Sequence, residues 1–306
     1  MSLKKSNPWY KAGLAFACRK CGRCCAGPGE GYVWANKDEI ARMAHRLNIT
    51  SDQFKRKYAH RVGFRYSLLE KQPGKDCIFL QKNGQGQPVC TVYAERPLQC
   101  RIWPFWKENL RSRSAWREAA ETCPGINQGN WYAQSAIEAI RDGDLTRWDA
   151  KMTIEQAAWN WIQEHQENVA ILDSVDHVYE DLDKHLAAAD PACTHCGQCC
   201  RFADYGHRLY VTTLEILYLS HHKQPPVNEA HSLAQGRCPF QIDDNCSLRQ
   251  FRPTSCRIFF CRTLDRRFQS ELTEQVLARL RRLHDKFHAP YLYADLLDWL
   301  RSADCE

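Results

Sequence analysis

Residues 18–25 read CRKCGRCC, and residues 193–200 read CTHCGQCC. Both segments have a C-x2-C-x2-C spacing, with a fourth cysteine directly after the third. Two residues between cysteines let both sulfur atoms approach one metal ion while backbone N–H groups turn toward the thiolates. Runs of three cysteines with this spacing also bind iron–sulfur clusters. The sequence therefore predicts two metal-binding loops.

The cysteines are grouped and not scattered. The chain has 17 cysteines in 306 residues, and all but Cys305 form two sets of eight in the same order. The first set is Cys18, Cys21, Cys24, Cys25, Cys77, Cys90, Cys100 and Cys123. The second set is Cys193, Cys196, Cys199, Cys200, Cys238, Cys246, Cys256 and Cys261. We predict that these two sets are the metal ligands.

The similarity between the two halves extends beyond cysteine. Residues 90–102 read CTVYAERPLQCRI and align without a gap on residues 246–258, which read CSLRQFRPTSCRI. A repeat of this length is typical of a duplicated structural module. The second copy is shorter because it lacks most of the loop between Cys25 and Cys77.

Composition excludes several classes of protein. Mean hydropathy is −0.58, and no apolar run reaches the roughly 18 residues of a membrane-spanning helix. Residues 1–21 contain no apolar segment of the kind that directs secretion, so we expect a cytoplasmic protein without a membrane span. Disulfide bonds are rare in the reducing cytosol, which favours metal ligation over a disulfide framework.

These motifs resemble the CxxCxxCC cysteine-cluster family, often labelled YkgJ. The matching residues are the first cysteine loop, Cys77-IFL, Cys90-TVY, Arg96-Pro97, Cys100-Arg101, Trp103-Pro104-Phe105 and Cys123-Pro124-Gly125. The resemblance covers residues 14–126 well and residues 190–263 more loosely. The second copy lacks the aromatic–proline step and has Arg249 at the position of Tyr93.

The resemblance implies a domain that chelates zinc or iron, and it leaves three interpretations of function. The first is an iron–sulfur or zinc protein with a redox or metal-handling role. The second is a metal-dependent enzyme that modifies protein, since some members are linked to lysine N-methylation and others are called iron–sulfur oxidoreductases. The third is a binding module that structural zinc stabilises. Whether the chain is an enzyme is left open. The sequence shows no glycine-rich strand-turn motif for S-adenosylmethionine, which argues against an ordinary methyltransferase.

Zinc and iron–sulfur clusters both accept this donor set, because thiolate is a normal ligand of each. Aromatic residues follow two of the predicted ligands, with Trp103, Phe105 and Trp106 after Cys100 and Phe259 and Phe260 after Cys256. An apolar wall beside thiolates excludes water and tunes a cluster. This arrangement favours an iron–sulfur cluster over zinc.

Two details of the loops lead to specific expectations. Neighbouring side chains diverge, so Cys24 and Cys25 are not expected to bind one small ion. Cys25 is instead expected to contact a second centre or to hold the module from the opposite side. His195 lies within the second loop, but Lys20 stands at the matching position of the first, which argues against His195 as a ligand.

Basic side chains crowd both cysteine sets, namely Arg19, Lys20, Arg23, Arg101, Arg201, Arg257 and Arg262. We expect guanidinium groups to offset the negative charge of thiolates. Arg96 and Arg252, each before a proline, are expected to clamp a loop carboxylate. More cations lie at 55–57 and 279–282, but the net charge is only +6. We therefore predict no nucleic-acid partner, while a protein partner or substrate stays open.

The hydrophobic pattern predicts a mainly α fold with small irregular and β-hairpin elements. The predicted parts are a first module at 1–126, a helical connector at 127–189, a second module at 190–265 and a C-terminal helical segment at 266–306. Asn36 followed by Glu39 predicts a helix that begins with a capping box. The sequence NGQGQP at residues 83–88 predicts the turn of a hairpin.

Overall fold

The computed structural model describes residues 8–27, 31–189, 193, 196–223, 229–260 and 265–303. His195, Cys261, Arg262 and Cys305 lie outside these described residues. The chain divides into two units, residues 1–153 and residues 154–306. Helices dominate both units and the sheets are small, which confirms the predicted mainly α class. Within the described residues, every helix is too short or too polar to cross a bilayer.

The first unit combines short helices with small antiparallel sheets. Its helices are α1 (Lys37–Arg46), α2 (Ser51–Tyr58), α3 (Leu98–Arg101), α4 (Lys107–Leu110), α5 (Arg113–Thr122) and α6 (Gln134–Arg141). Its strands are β1 (Leu14–Phe16), β2 (Trp34–Ala35), β3 (Ala59–Val62), β4 (Arg65–Leu68), β5 (Leu80–Lys82), β6 (Pro88–Cys90), β7 (Asn130–Tyr132) and β8 (Lys151–Met152). The sheets have the orders β1-β7-β8, β2-β4-β3 and β5-β6.

Helix α1 begins at the predicted capping box. The Asn36 side chain accepts a hydrogen bond from the Glu39 backbone N–H, and the Glu39 carboxylate accepts one from the Asn36 N–H. Ile40 and Met43 lie on one face of the helix and are fully buried against Phe54 of α2. The same periodicity that predicts the helix therefore also supplies its core contacts.

The first unit has two hydrophobic clusters, and its cysteines lie at both. One cluster surrounds Phe54 and Phe79, and Cys77 and Cys90 pack against it. The other cluster, built on Phe105, Trp116 and Ile137, includes Cys123. Cysteines from distant parts of the sequence are thus fixed by ordinary core packing.

The second unit is more helical and has one continuous core. Its helices are α7 (Ile154–His165), α8 (Val169–Ala189), α9 (Phe202–Tyr205), α10 (Thr213–His222), α11 (Glu229–Ala234), α12 (Thr254–Ile258), α13 (Arg266–Phe287) and α14 (Leu296–Ala303). Its strands are β9 (Tyr210–Thr212), β10 (Gln241–Ile242), β11 (Asn245–Cys246) and β12 (Tyr293–Asp295).

Residues 127–189, predicted as a connector, are divided between the two units. Strand β7 pairs with β1, and α6 buries Ile137 and Ile140 in the first unit. Helices α7 and α8 supply Trp161 and Leu182 to the core of the second unit. The apolar stripes of this stretch pack within the units and do not form a separate body.

A strand from the C-terminal segment completes the second copy. In the first unit, β2 pairs antiparallel with β4, and Trp34 faces Ser67. In the second, the matching strand β9 pairs with β12, and Tyr210 faces Asp295. The shorter copy therefore takes from residues 293–295 the strand that the first copy supplies within its own longer loop.

Candidate metal centres

The last two cysteines of each four-cysteine motif lie on a tight turn that begins after a glycine. Gly22 has φ +72° and Gly197 has φ +67°, both in the left-handed region. The 3-10 turns that follow are Arg23–Cys25 and Gln198–Cys200. A Cβ atom at residue 22 would lie 2.7 Å from Cβ of Pro88. Glycine is therefore required both by the backbone and by the hairpin that packs on the turn.

Matching backbone hydrogen bonds tie the loop to the next cysteine in both units. The Cys77 N–H donates to the Cys25 carbonyl at 2.7 Å, and the Cys238 N–H donates to the Cys200 carbonyl at 2.8 Å. The predicted hairpin is confirmed, since β5 and β6 pair with Leu80 opposite Cys90. The β10–β11 hairpin of the second unit places Cys246 in the same position.

A buried carboxylate links α1 to the helix that carries Cys100. Glu39 is only 5% exposed, and besides its capping bond to Asn36 it accepts a hydrogen bond from the Leu98 N–H at 2.7 Å. Leu98 is the first residue of α3, whose N-terminal N–H groups need a partner of this kind. Glu39 thereby fixes the position of Cys100, two residues further along.

Glu215 does the same in the second unit. It caps α10 through Thr212 and accepts a hydrogen bond from the Thr254 N–H at 2.8 Å, at the start of the helix that carries Cys256. Tyr179 donates a third hydrogen bond to this carboxylate at 3.2 Å. A buried glutamate links the same two helices in both units, which indicates that this contact belongs to the cysteine module itself.

We expect Glu39→Ala to lower the free energy of unfolding by about 2–4 kcal/mol, because it removes a cap and leaves the Leu98 N–H without its acceptor. Urea unfolding followed by circular dichroism measures the change. Asp38→Ala is the matched control on the same helical turn, because Asp38 is exposed. A decrease in the free energy of unfolding no larger than that of Asp38→Ala would contradict the stabilising role of the contact between Glu39 and Leu98.

The cysteines of the first set gather at one cavity of about 290 Å³. Six of them line it, namely Cys18, Cys21, Cys24, Cys25, Cys90 and Cys123. Cys77 and Cys100 lie behind this lining, close enough for their charges to act on Cys25. All eight predicted ligands of the first set are thus brought together.

The second set lines a comparable cavity of about 310 Å³. The described members of the set all line it, namely Cys193, Cys196, Cys199, Cys200, Cys238, Cys246 and Cys256. None of the described cysteines of either unit forms a disulfide bond. The thiols needed for metal ligation are therefore present at both cavities.

The thiols surround each cavity and do not meet at one point. Among the described residues, no three Cys, His, Asp or Glu side chains stand close enough to hold a single metal ion. The donor chemistry fits zinc or iron–sulfur ligation, since both use thiolates. The arrangement corresponds to a ring of donors around a space.

The expectation that Cys24 and Cys25 point apart is wrong. Their Sγ atoms lie 3.8 Å apart, and both side chains line the same cavity. The reason is the 3-10 turn, in which successive residues are rotated by roughly 120° and not by the 180° of an extended strand. Both sulfurs therefore belong to one site.

Burial keeps most of these thiols in their neutral form. It raises the pKa of Cys100 to about 12 and raises the pKa values of Cys77, Cys90, Cys246 and Cys256. Cys24 differs, because the hydrogen bond from the Cys25 thiol lowers its pKa to about 7. Metal binding at either cavity must therefore displace protons.

Arg96 is a cation that acts on several thiols of the first cavity, which Arg19 and Lys20 also line. Burial raises the pKa of Cys90 and Cys100, and the positive charge of Arg96 opposes that shift. The expectation that Arg96 clamps a loop carboxylate is wrong. Its Nε donates to the Tyr93 carbonyl at 2.8 Å, and the guanidinium lies 3.6 Å from the centre of the Tyr93 ring. Tyr93 is the first residue of the 3-10 turn Tyr93–Glu95, which ends just before Arg96.

Arg252 repeats this arrangement in the second unit. Its Nε donates to the Arg249 carbonyl at 2.9 Å, so a carboxylate clamp is wrong here as well. Arg257, which was expected to offset thiolate charge, is buried and pairs with Asp183 at 2.6 Å. Arg201 pairs with Asp244. Arg252 lines the second cavity together with Arg208 and Arg249, and the charges of Arg252 and Arg249 both oppose the rise in the pKa of Cys246.

Aromatic side chains form part of both cavity walls. Trp103 lines the first cavity, and its indole N–H donates to the Cys123 Sγ at 3.4 Å. Phe259 and Phe260 line the second. Phe105 is fully buried in the core and does not reach the cavity. Both predicted aromatic residues therefore line the second cavity, whereas only Trp103 of the three predicted for the first motif lines the first cavity.

Sequence reasoning missed His207 at the second cavity. Its Nε2 lies 3.1 Å from the Cys199 carbonyl, and its ring stacks on Phe259. In the ungapped alignment of β2 with β9, Gly31 takes the matching place in the first copy, so the repeat gives no signal for a histidine. Only the fold brings His207 back to the cysteine loop.

The model of one protein family matches the chain twice, at residues 17–124 and 192–275. This is the CxxCxxCC family, described as "Putative zinc- or iron-chelating domain". The chain belongs to this family, and the two matches are consistent with a tandem duplication.

Comparison with curated proteins gives a relative in the archaeon Methanocaldococcus jannaschii. The protein, named "Uncharacterized protein MJ0661", is 34% identical over 96 residues, which are 31% of this chain and 48% of the relative. The chain thus spans about half the length of that relative. No solved structure matches the chain.

Proposed function

We propose that each unit holds an iron–sulfur cluster on its ring of cysteines and that the protein carries electrons. The observation that carries the proposal is the cysteine-lined cavity, repeated at about 290 and 310 Å³. One water molecule takes a share of about 30 Å³, so a single metal ion would fill only a small part of this space. A cluster of several iron and sulfide ions fills more of it.

The surroundings of the thiols support the same proposal. Trp103 and Phe259 bring apolar surface to the cavities, and Arg96 and Arg252 bring positive charge. Solvent exclusion, nearby charge and hydrogen bonds to sulfur are the means by which a protein sets the potential of a cluster. The Trp103 N–H on the Cys123 sulfur is one such hydrogen bond.

Anaerobic purification followed by iron, zinc and acid-labile sulfide analysis tests the proposal. We expect a brown protein with iron and sulfide in equal amounts and broad absorption near 400 nm that bleaches reversibly on reduction. A colourless protein with stoichiometric zinc would contradict it.

The Cys24–Cys25 pair favours zinc as a second candidate. Zn–S bonds of about 2.3 Å at tetrahedral angles place sulfurs about 3.8 Å apart. The observed Sγ–Sγ distance is 3.8 Å. In this case the metal would stabilise a binding module and would not change redox state. Zinc that is retained under both oxidising and reducing conditions, with chelators unfolding the protein, is the result expected of this candidate.

A further inference from the structure

The β3–β4 hairpin of the first unit presents an unusually exposed aromatic tip. Phe64 is 97% exposed. Gly63 before it has φ +60°, and the Arg61 Nε donates to the Gly63 carbonyl at 2.9 Å. The Arg61 side chain therefore holds the turn at the tip, and Phe64 is left almost fully exposed.

A groove of about 520 Å³ runs beside this hairpin. Its lining includes Trp34, Phe64, Arg65 and Leu98. The Arg65 guanidinium lies 4.1 Å from the centre of the Trp34 ring. Tyr32, which is 53% exposed, stacks on Trp34 with centroids 5.0 Å apart and planes 12° apart. The result is a stack of flat groups next to an open groove.

The hairpin and the preceding helix concentrate positive charge. Residues 53–69 contain five lysines and arginines and no aspartate or glutamate. Among the described residues, neither Arg61 nor Arg65 forms an ion pair with a carboxylate. The net charge of the whole chain is small, but positive charge is concentrated at the surface of the β3–β4 hairpin and helix α2.

The second unit has different side chains at the positions equivalent to Phe64 and Arg65. In the register of β12 on β9, Leu292 takes the place of Phe64 and packs against the core. Tyr293 takes the place of Arg65, and its ring lies 5.5 Å from that of Tyr210. At this edge the second unit keeps two partly exposed tyrosines, Tyr210 and Tyr293, but it has Leu292 in place of the fully exposed Phe64 and no cation in place of Arg65.

We propose that this groove binds single-stranded RNA. Stacking platforms combined with cations that follow a phosphate backbone are the common chemistry of single-strand binding. Tyr32 and Phe64 offer ring faces to bases, and Arg61 and Arg65 offer charge to phosphates. An acidic peptide without aromatic side chains matches the charge but offers no flat groups to the stacked rings. The expectation of no nucleic-acid partner rested on the mild net charge and on charge runs being usually solvated faces, and this local arrangement points the other way.

Fluorescence anisotropy with a labelled 12-nucleotide RNA of mixed sequence tests the proposal on the full, metal-loaded chain. We expect a Kd on the order of 10 µM at 50 mM salt, with affinity falling as salt rises. Phe64→Ala should weaken binding at least about fivefold by removing a stacking ring. Arg65→Ala should reduce the slope of log K against log salt by roughly 0.7.

Two control variants distinguish RNA binding at the groove from nonspecific binding elsewhere on the protein. Tyr205→Ala removes an aromatic ring that is 51% exposed in the second unit, and Arg117→Ala removes an exposed cation of α5. Both should leave RNA affinity unchanged. The proposal is overturned by three results: no RNA binding at 20 mM salt, equal loss in the controls, or binding of an acidic Glu-Phe repeat peptide but not of RNA. Unaltered metal content in Phe64→Ala shows that the variant is folded.

Discussion

Cys25→Ala is expected to remove the metal centre of the first unit while the second unit keeps its own, so that metal per chain falls to about half. Cys25 is central to the first ring, because its sulfur lies 3.8 Å from that of Cys24 and its carbonyl accepts the Cys77 N–H. Elemental analysis of the anaerobically purified variant measures the loss.

Two further variants make this result specific. Cys200→Ala is the equivalent change in the second unit and should cost the other half of the metal. Cys305→Ala removes the cysteine outside both sets and should leave the content unchanged. Full metal content in the Cys25 and Cys200 variants would contradict the assignment of these thiols. Loss of all metal from either one would contradict two separate centres.

Gly22→Ala is the second change with a large expected effect. A left-handed backbone costs an alanine about 1–2 kcal/mol, and the added Cβ, 2.7 Å from Cβ of Pro88, adds about 1–3 kcal/mol of overpacking. The hairpin that carries Cys90 must move away from the turn that carries Cys24. We therefore expect lower stability together with loss of metal from the first unit.

Gly86→Ala is the control for backbone strain alone. Gly86 has φ +76°, close to that of Gly22, but its added Cβ would meet no atom within 4 Å. It should cost about 1–2 kcal/mol and leave metal content intact. Urea unfolding and metal analysis of both variants provide the comparison. Equal effects of the two substitutions would show that the contact with Pro88 does not position the cysteines.

Local signals in the sequence were sufficient for much of the fold and for the composition of the site. The Asn36–Glu39 capping box and the hairpin over residues 83–88 each depend on neighbours a few residues apart, and both are confirmed. The grouping of cysteines was visible because the chain repeats itself, so two copies of one spacing served as an internal comparison. Those members of the two sets that the structure describes gather at one cavity in each unit.

Features that depend on local backbone conformation or on pairing between distant segments could not be predicted from the sequence. The rotation of a 3-10 turn brings the Cys24 and Cys25 sulfurs together, and no spacing rule predicts that rotation. Arg96 bonds a carbonyl of its own turn where a carboxylate was expected, because backbone geometry decides which acceptor is nearest. Strand β12 pairs with β9, with Ala294 opposite Val211, and no local signal in the sequence indicates a pairing between segments so far apart in the chain.

Native mass spectrometry of the anaerobically purified full chain tests the central claim most directly. The apoprotein has a mass of 35.6 kDa. We predict a mass excess that corresponds to one metal centre in each unit, with the excess halved in Cys25→Ala. A folded protein without any mass excess, whose thiols are paired as disulfides, would contradict the account.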